Sequence, residues 1–141
     1  MKTSKTGINF IRDHEGCKLT AYADTGGVLT IGVGHTKGVK AGQRITQQQA
    51  DQFLSDDLNP VETCINKNVV VTLNQNQFDA LAAFIFNVGS GAFINSTLLK
   101  KLNTGNYCAA ADQFTRWVHV NNVFVQGLYN RRCDEKALFL S

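Results

Sequence analysis

The sequence predicts an α+β protein that is mostly helical, and three observations carry the prediction. Two runs with strand character, Leu19 to Ala23 and Val28 to Val33, flank a turn signal, Asp24-Thr25-Gly26-Gly27. From Thr46 onward apolar residues recur at helical spacing, broken by Gly and Asn punctuation. The sheet signal comes early and the helices late, which segregates the two kinds of element. The sum is one small antiparallel hairpin and about six helices in a single domain, 1–141.

In order, Ser4 to His14 reads as a short helix with Ile8 and Ile11 on one face, and Glu15 falls at its C-terminus. The hairpin follows, and Lys37 to Gly42 is a turn-rich loop with room for one more short strand. Thr46 and Gln49 form a capping box, in which each side chain satisfies a backbone donor of the other. Phe53, Leu54 and Leu58 give that helix a buried side. Pro60 has no N–H to donate, so a kinked or broken connector is expected there. Lys67 to Val71 reads as an extended linker. From Asn74, Phe78, Leu81, Ala82, Ile85 and Val88 share one face of a central buried helix, which Gly89-Ser90-Gly91 ends. Ser96 caps a short helix through Leu102, stopped near Gly105. Asn106 to Trp117 is another helix and Asn121-Asn122 a turn. The last helix runs from about Gln126 to Leu140 on Leu128, Ala137, Leu138 and Phe139.

With 141 residues, 43% hydrophobic and 18% charged, the chain has ordinary globular composition and enough length for a real core. No apolar run approaches the roughly 18 residues of a membrane span, and no signal core follows the basic start, so no membrane insertion is expected and accumulation in the cytoplasm is. The net charge of +3 suits an acidic polymeric partner. Its lysines and arginines are dispersed, without a basic helix or aromatic-basic interleave, which argues against nucleic acid. Cys17, Cys64, Cys108 and Cys133 show neither a CxxC pair nor zinc-ligand spacing, so free thiols and no metal are expected. Cys17 lies two residues after Glu15, where its oxidation would disturb a site without sulfur taking part in catalysis.

Glu15 and Asp24 carry the chemistry. Glu15 ends a helix, where the dipole presents partial negative charge, the unfavourable end for an ionised carboxylate. Asp24 sits in a turn with backbone donors nearby. Two carboxylates in such different settings, facing each other across a cleft, are the minimum equipment for acid-assisted hydrolysis of a glycosidic bond. Taken singly, each has an ordinary explanation: a surface glutamate, and an aspartate that is good turn chemistry before Thr-Gly-Gly.

These residues and the runs around them resemble the phage-type lysozymes, glycoside hydrolase family 24, the endolysins with which tailed phages open the bacterial wall. Glu15, Asp24 and Thr30 stand at the family's Glu-x8-Asp-x5-Thr spacing, and Thr30 to Thr36 is its TIGxGHT run. The likeness continues through Leu73 to Leu81, Phe86-Asn87-Val88-Gly89, Arg116-Trp117, and Gly127-Leu128 with Arg131-Arg132, so it covers nearly the whole chain.

The resemblance implies a two-lobed lysozyme-like fold around a substrate cleft, with 16–57 as the sheet-bearing lobe and 1–15 plus 60–141 as the helical lobe. It implies a monomeric muramidase, without metal or cofactor, that hydrolyses the β-1,4 bond from N-acetylmuramic acid to N-acetylglucosamine in peptidoglycan. The enzyme would wait in the host cytoplasm until a holin gives it access to the wall. Glu15 would be the general acid. Asp24 would orient water or stabilise positive charge on the sugar, and Thr30 would hold that water, with inversion as the outcome. His35 would be a structural partner of Asp57 rather than a base. Gly32 and Gly34 allow a sugar to lie against the main chain. Phe86, Asn87, Phe93 and Ser96 match glycan-contacting positions, although both phenylalanines suit the core and Asn87 and Ser96 suit helix caps. Trp117 reads as packing. Arg131 or Arg132 would reach Glu15 or wall-peptide carboxylates, or stay solvated. Two rival functions remain, a lytic transglycosylase forming anhydro-sugars and an inactive glycan-binding relative; Asp24 and Thr30 argue against both.

Overall fold

The structure, a computed structural model, describes residues 1–141. Its helices are α1 (Lys5–Glu15), α2 (Gln47–Asn68), α3 (Gln75–Val88), α4 (Ser90–Ile94), α5 (Thr97–Asn103), α6 (Tyr107–Gln113) and α7 (Gln126–Leu140), with a 3-10 turn at Phe114–Arg116. Two separate two-stranded antiparallel sheets complete it, β1 (Lys18–Ala23) with β2 (Leu29–Gly32) and β3 (His119–Val120) with β4 (Val123–Phe124). The mostly helical α+β class is therefore correct. The chain divides into two compact units, Asn9–Pro60 and Met1–Ile8 with Val61–Ser141.

In the first unit, β1 and β2 pair through Ala23 with Leu29, Tyr22 with Thr30 and Lys18 with Gly32, so β1 bulges between Lys18 and Tyr22. A bulge leaves backbone groups unpaired. Here the segment before α2 takes them: Ala21 N–H donates to Gln43 O at 2.8 Å and Ile45 N–H to Leu19 O at 2.9 Å. Thr20 and Arg44 form an isolated bridge between these bonds, and no further strand forms in the Lys37 to Gly42 loop. Ile11, Ile31, Val33, Ala50, Leu54 and Leu58 are the buried core of this unit. The Thr46–Gln49 capping box forms as expected, with both bonds near 3 Å.

Pro60 does not break the connector. α2 runs through it as one helix of 22 residues. Ala50, Leu54, Leu58, Val61 and Ile65 recur every three or four residues as one buried stripe. Pro60 is exposed, and its missing N–H leaves only the Asp56 carbonyl without its usual helical donor. Burial of a continuous stripe outweighs the loss of one solvent-side bond.

In the second unit α3 is buried nearly all round, from Phe78 to Ile85, as predicted. A second capping box, Asn74 with Gln77, starts it. Asp79 on this helix is fully buried and anchors the chain's start, accepting from Ser4 N–H and Gln75 Nε2 at 2.9 Å and from the Ser4 hydroxyl. A Cβ on Gly7 would stand 2.6 Å from Asp79 Cγ, so this close approach requires glycine. Phe84, Phe114 and Phe139 pack ring to ring at 5.2–5.5 Å, joining α3, the 3-10 turn and α7.

Several expectations need correction in this unit. The helix expected from Asn106 to Trp117 stops at Gln113 and tightens into the 3-10 turn. A short helix, α4, follows Gly89 directly. The Asn121-Asn122 turn closes a second hairpin rather than a bare loop. Both asparagines are left-handed, φ 50° and 64°, as a two-residue type I′ turn requires, and asparagine tolerates that region. On α7 only Phe139 of the four expected anchors is buried. Arg131, Arg132 and Glu135 take the buried face instead. Within the helix both guanidiniums share the Glu135 carboxylate, at i, i+4 and i, i+3, which offsets part of the cost of burying them.

Candidate active site

Glu15, Asp24 and Thr30 all lie in the Asn9–Pro60 unit. Glu15 is the last residue of α1 and is half-buried. Gly16 follows in the left-handed region, φ 73°, with its N–H on Arg12 O at 2.8 Å, the usual way to end a helix sharply. An ion pair from Arg12 to Asp51, 2.8 Å, ties the C-terminal end of α1 to α2.

Asp24 is exposed, and one of its oxygens is committed. Oδ1 accepts Gly26 N–H at 2.8 Å and Val28 N–H at 2.9 Å. Asp24 N–H in turn donates to Val28 O at 2.9 Å. The turn chemistry and the proposed chemistry are therefore not rivals: the backbone holds Oδ1 while no protein group bonds Oδ2. Thr30 is only 4% exposed, and its hydroxyl donates to the same Val28 carbonyl at 3.0 Å. Val28 thus links Asp24 and Thr30, and the threonine oxygen keeps its lone pairs for a further donor.

The glycine-rich run after Thr30 is a tight reversal. Ile31 and His35 exchange both backbone bonds, at 2.9 and 3.0 Å, and between them Gly32 and Gly34 sit at φ 62° and 65°. A side chain would be strained at either position. The turn delivers His35 to α2. Its Nδ1 is 2.8 Å from Asp57 Oδ2, its Nε2 is 2.9 Å from Lys37 O, and its ring stacks on Phe53 at 4.3 Å. Both ring nitrogens face oxygen acceptors and one face is covered. This histidine packs a turn onto a helix.

The other candidate residues lie in the second unit, where their settings differ. Asn87 is exposed and Phe86 half-buried at the end of α3. Phe93 is fully buried. Ser96 caps α5: its hydroxyl accepts Leu99 N–H at 3.1 Å and donates to Phe93 O at 2.6 Å, in a buried position. That bonding makes it a cap. Trp117 is half-buried, edge-on to Phe84 at 5.5 Å, and lines a groove of about 400 Å³ with Asn87, Val88, Arg116, His119, Val120, Leu128 and Arg132.

Neither arginine of α7 is solvated. Arg131 donates to Glu135 and to Ala83 O, both at 3.1 Å. Arg132 lies over the Phe84 ring at 5.0 Å and donates to Asn87 Oδ1 at 2.6 Å. Glu135 drew no attention in the sequence, although Arg-Arg-x-x-Glu has the helical spacing that pairs these charges. All four cysteines are free: Cys64 is buried, Cys108 exposed, and Cys17 and Cys133 between. No cluster of three potential metal ligands occurs, and no helix is long and apolar enough to cross a membrane.

The family model for phage lysozyme matches residues 12–135, a span that holds Glu15, the hairpin, α2 and the α7 arginines. The chain belongs to the phage lysozyme family. This phage lysozyme is 45% identical to the endolysin of Salmonella phage P22 over 146 residues, covering 100% of this chain and 99% of that one. Among solved structures, it superposes on the endolysin from Escherichia coli O157:H7 phage FAHEc1 with a TM-score of 0.95 at 37% identity, over 100% of this chain and 94% of that one. The muramidase domain of SpmX from Asticaccaulis excentricus gives 0.93 at 38%, over 99% and 98%. The phage lysozyme is accordingly a muramidase-type enzyme, an endolysin that hydrolyses bacterial cell wall, with peptidoglycan as its substrate.

Proposed function

We propose that the enzyme cleaves the β-1,4 bond from N-acetylmuramic acid to N-acetylglucosamine by direct attack of water, with Glu15 as general acid and Asp24 and Thr30 as the pair that holds the water. Glu15 gives its proton to the glycosidic oxygen as the bond to the leaving sugar breaks. The water donates one hydrogen to Asp24 Oδ2 and the other to Thr30 Oγ1, which turns a lone pair toward the anomeric carbon. Asp24 takes the proton as the new bond forms, and positive charge on the sugar ring develops beside its carboxylate.

The observation that supports this most is the double use of Val28. It accepts the threonine proton, so Thr30 faces water as an acceptor, and it binds Asp24 Oδ1, so the other oxygen serves as base. The flanking glycan is assigned to Gly34, Phe86 and Asn87. Ser96, already committed as a cap, is left out. His35 and Asp57 hold the turn that carries Thr30. The enzyme acts as a monomer, and it reaches the wall from the host cytoplasm through a holin.

Attack by water on the face opposite the leaving group inverts the anomeric centre. Proton NMR of fresh digests is expected to show the α-anomer of the new reducing end first, with the β-anomer appearing by mutarotation. Initial β-anomer would contradict the water-holding role of Asp24 and Thr30.

A further inference from the structure

We infer that Arg132 is a positioning residue that fixes the Asn87 amide with its nitrogen outward, so that Asn87 donates a hydrogen bond to an oxygen acceptor of the wall substrate. The inference rests on the muramidase reading and names a specificity contact within it.

Arg132 is fully buried, yet it reaches the wall of the groove that Asn87, Arg116, Trp117 and His119 line. Its guanidinium is held from several sides. Nε lies 2.9 Å from Glu135 Oε1, Nη2 donates to Glu135 Oε2 at 3.3 Å, and the group covers the Phe84 ring. Held in this way, Nη2 donates to Asn87 Oδ1 at 2.6 Å. A guanidinium has five N–H donors and no acceptor, so only the amide oxygen can face it. The reversed amide would set donor against donor. The orientation of Asn87 therefore follows from the chemistry of its neighbour, and Nδ2 points away from Arg132 on an exposed residue.

The rest of the groove matches an acceptor. No carboxylate lines it, and Arg116 and Trp117 can only donate. Arg116 makes no ion pair, so its charge is available to a ligand. An acceptor oxygen has two sources in peptidoglycan, the acetamido carbonyl of the sugars and the carboxylates of the stem peptide. They share the chemistry recognised, and the substrate used in the assay separates them.

Asn87→Asp keeps an oxygen for Arg132 and nearly the same volume, but puts an oxygen where the outward N–H2 was. It is expected to raise KM on peptidoglycan about 3–10-fold with kcat within about twofold. Arg132→Lys keeps a cation beside Glu135 and loses the fork that grips the amide, so KM should rise to a similar extent. In an Asn87→Ala background, Arg132→Lys should then leave KM within about twofold of the single variant, because its effect passes through Asn87. Additive effects, or unchanged KM in Asn87→Asp, would overturn the inference. A purely structural Arg132 would lower the melting temperature without this KM pattern. An effect that survives on glycan stripped of its peptides assigns the acetamido oxygen; one confined to peptide-bearing wall assigns the carboxylate. Turnover is not needed for a second readout. In Glu15→Gln protein, the Asn87 side-chain amide resonances should shift on adding N-acetylglucosamine tetramer or stem peptide, and no shift with either would also overturn it. An inactive parent that still shows the shift would sink only the muramidase reading.

Discussion

Glu15→Gln is expected to lower the release of soluble wall fragments by about 10²–10⁴-fold, the usual contribution of a positioned general acid. Glutamine has the size and reach of glutamate but no proton to give a leaving sugar. Glu15 ends α1, and the helix itself is closed by the Gly16 turn, so the helical content should match the parent's. Turbidity clearing on purified wall, with circular dichroism for the fold, checks both parts. Activity within tenfold of the parent would remove Glu15 from the acid's role.

The largest effect on stability is expected at Glu135. Its fully buried carboxylate meets both Arg131 and Arg132 within α7. Glu135→Leu would remove the carboxylate that both buried guanidiniums share. Removing one partner of a buried ionic group typically costs about 3–5 kcal/mol, because the remaining charge is left uncompensated. For a chain of 141 residues that is a fall of about 10–17 °C in melting temperature. Thermal denaturation measures it directly. A fall of under 2 °C in Glu135→Leu would mean that the arginines are balanced elsewhere.

The two cases differ in what the sequence reveals. Glu15, Asp24 and Thr30 sit close along the chain, and their positions depend on local signals: a helix end, a Gly-rich turn and a strand. Such signals are written in short windows, which is why the local settings of these three residues were legible. The pairing of His35 with Asp57 was legible too, through family resemblance rather than through any local rule. The buried charges of α7 were not, because arginines and a glutamate at helical spacing look like a solvated face. What buries them is the packing of α7 against α3, which no window of α7 contains. Ser96 shows the opposite ambiguity: cap and ligand contact use the same residue type, and only the Phe93 and Leu99 bonds decide between them. At Pro60 the expectation allowed a kink or a break, and the break did not occur. A local rule against proline in helices met a buried stripe on both sides of it, and the stripe prevailed. The second hairpin escaped because two-residue strands carry no periodicity, although its Asn-Asn turn was visible.

The most direct test of the two-carboxylate mechanism is mass spectrometry of the soluble fragments that the parent, Glu15→Gln and Asp24→Ala release from purified peptidoglycan. Fragments ending in reducing N-acetylmuramic acid, one water heavier than their anhydro forms and lost in both variants, are the expected result. Anhydro-muramic ends, or full activity in Asp24→Ala, would contradict it and point to a transglycosylase.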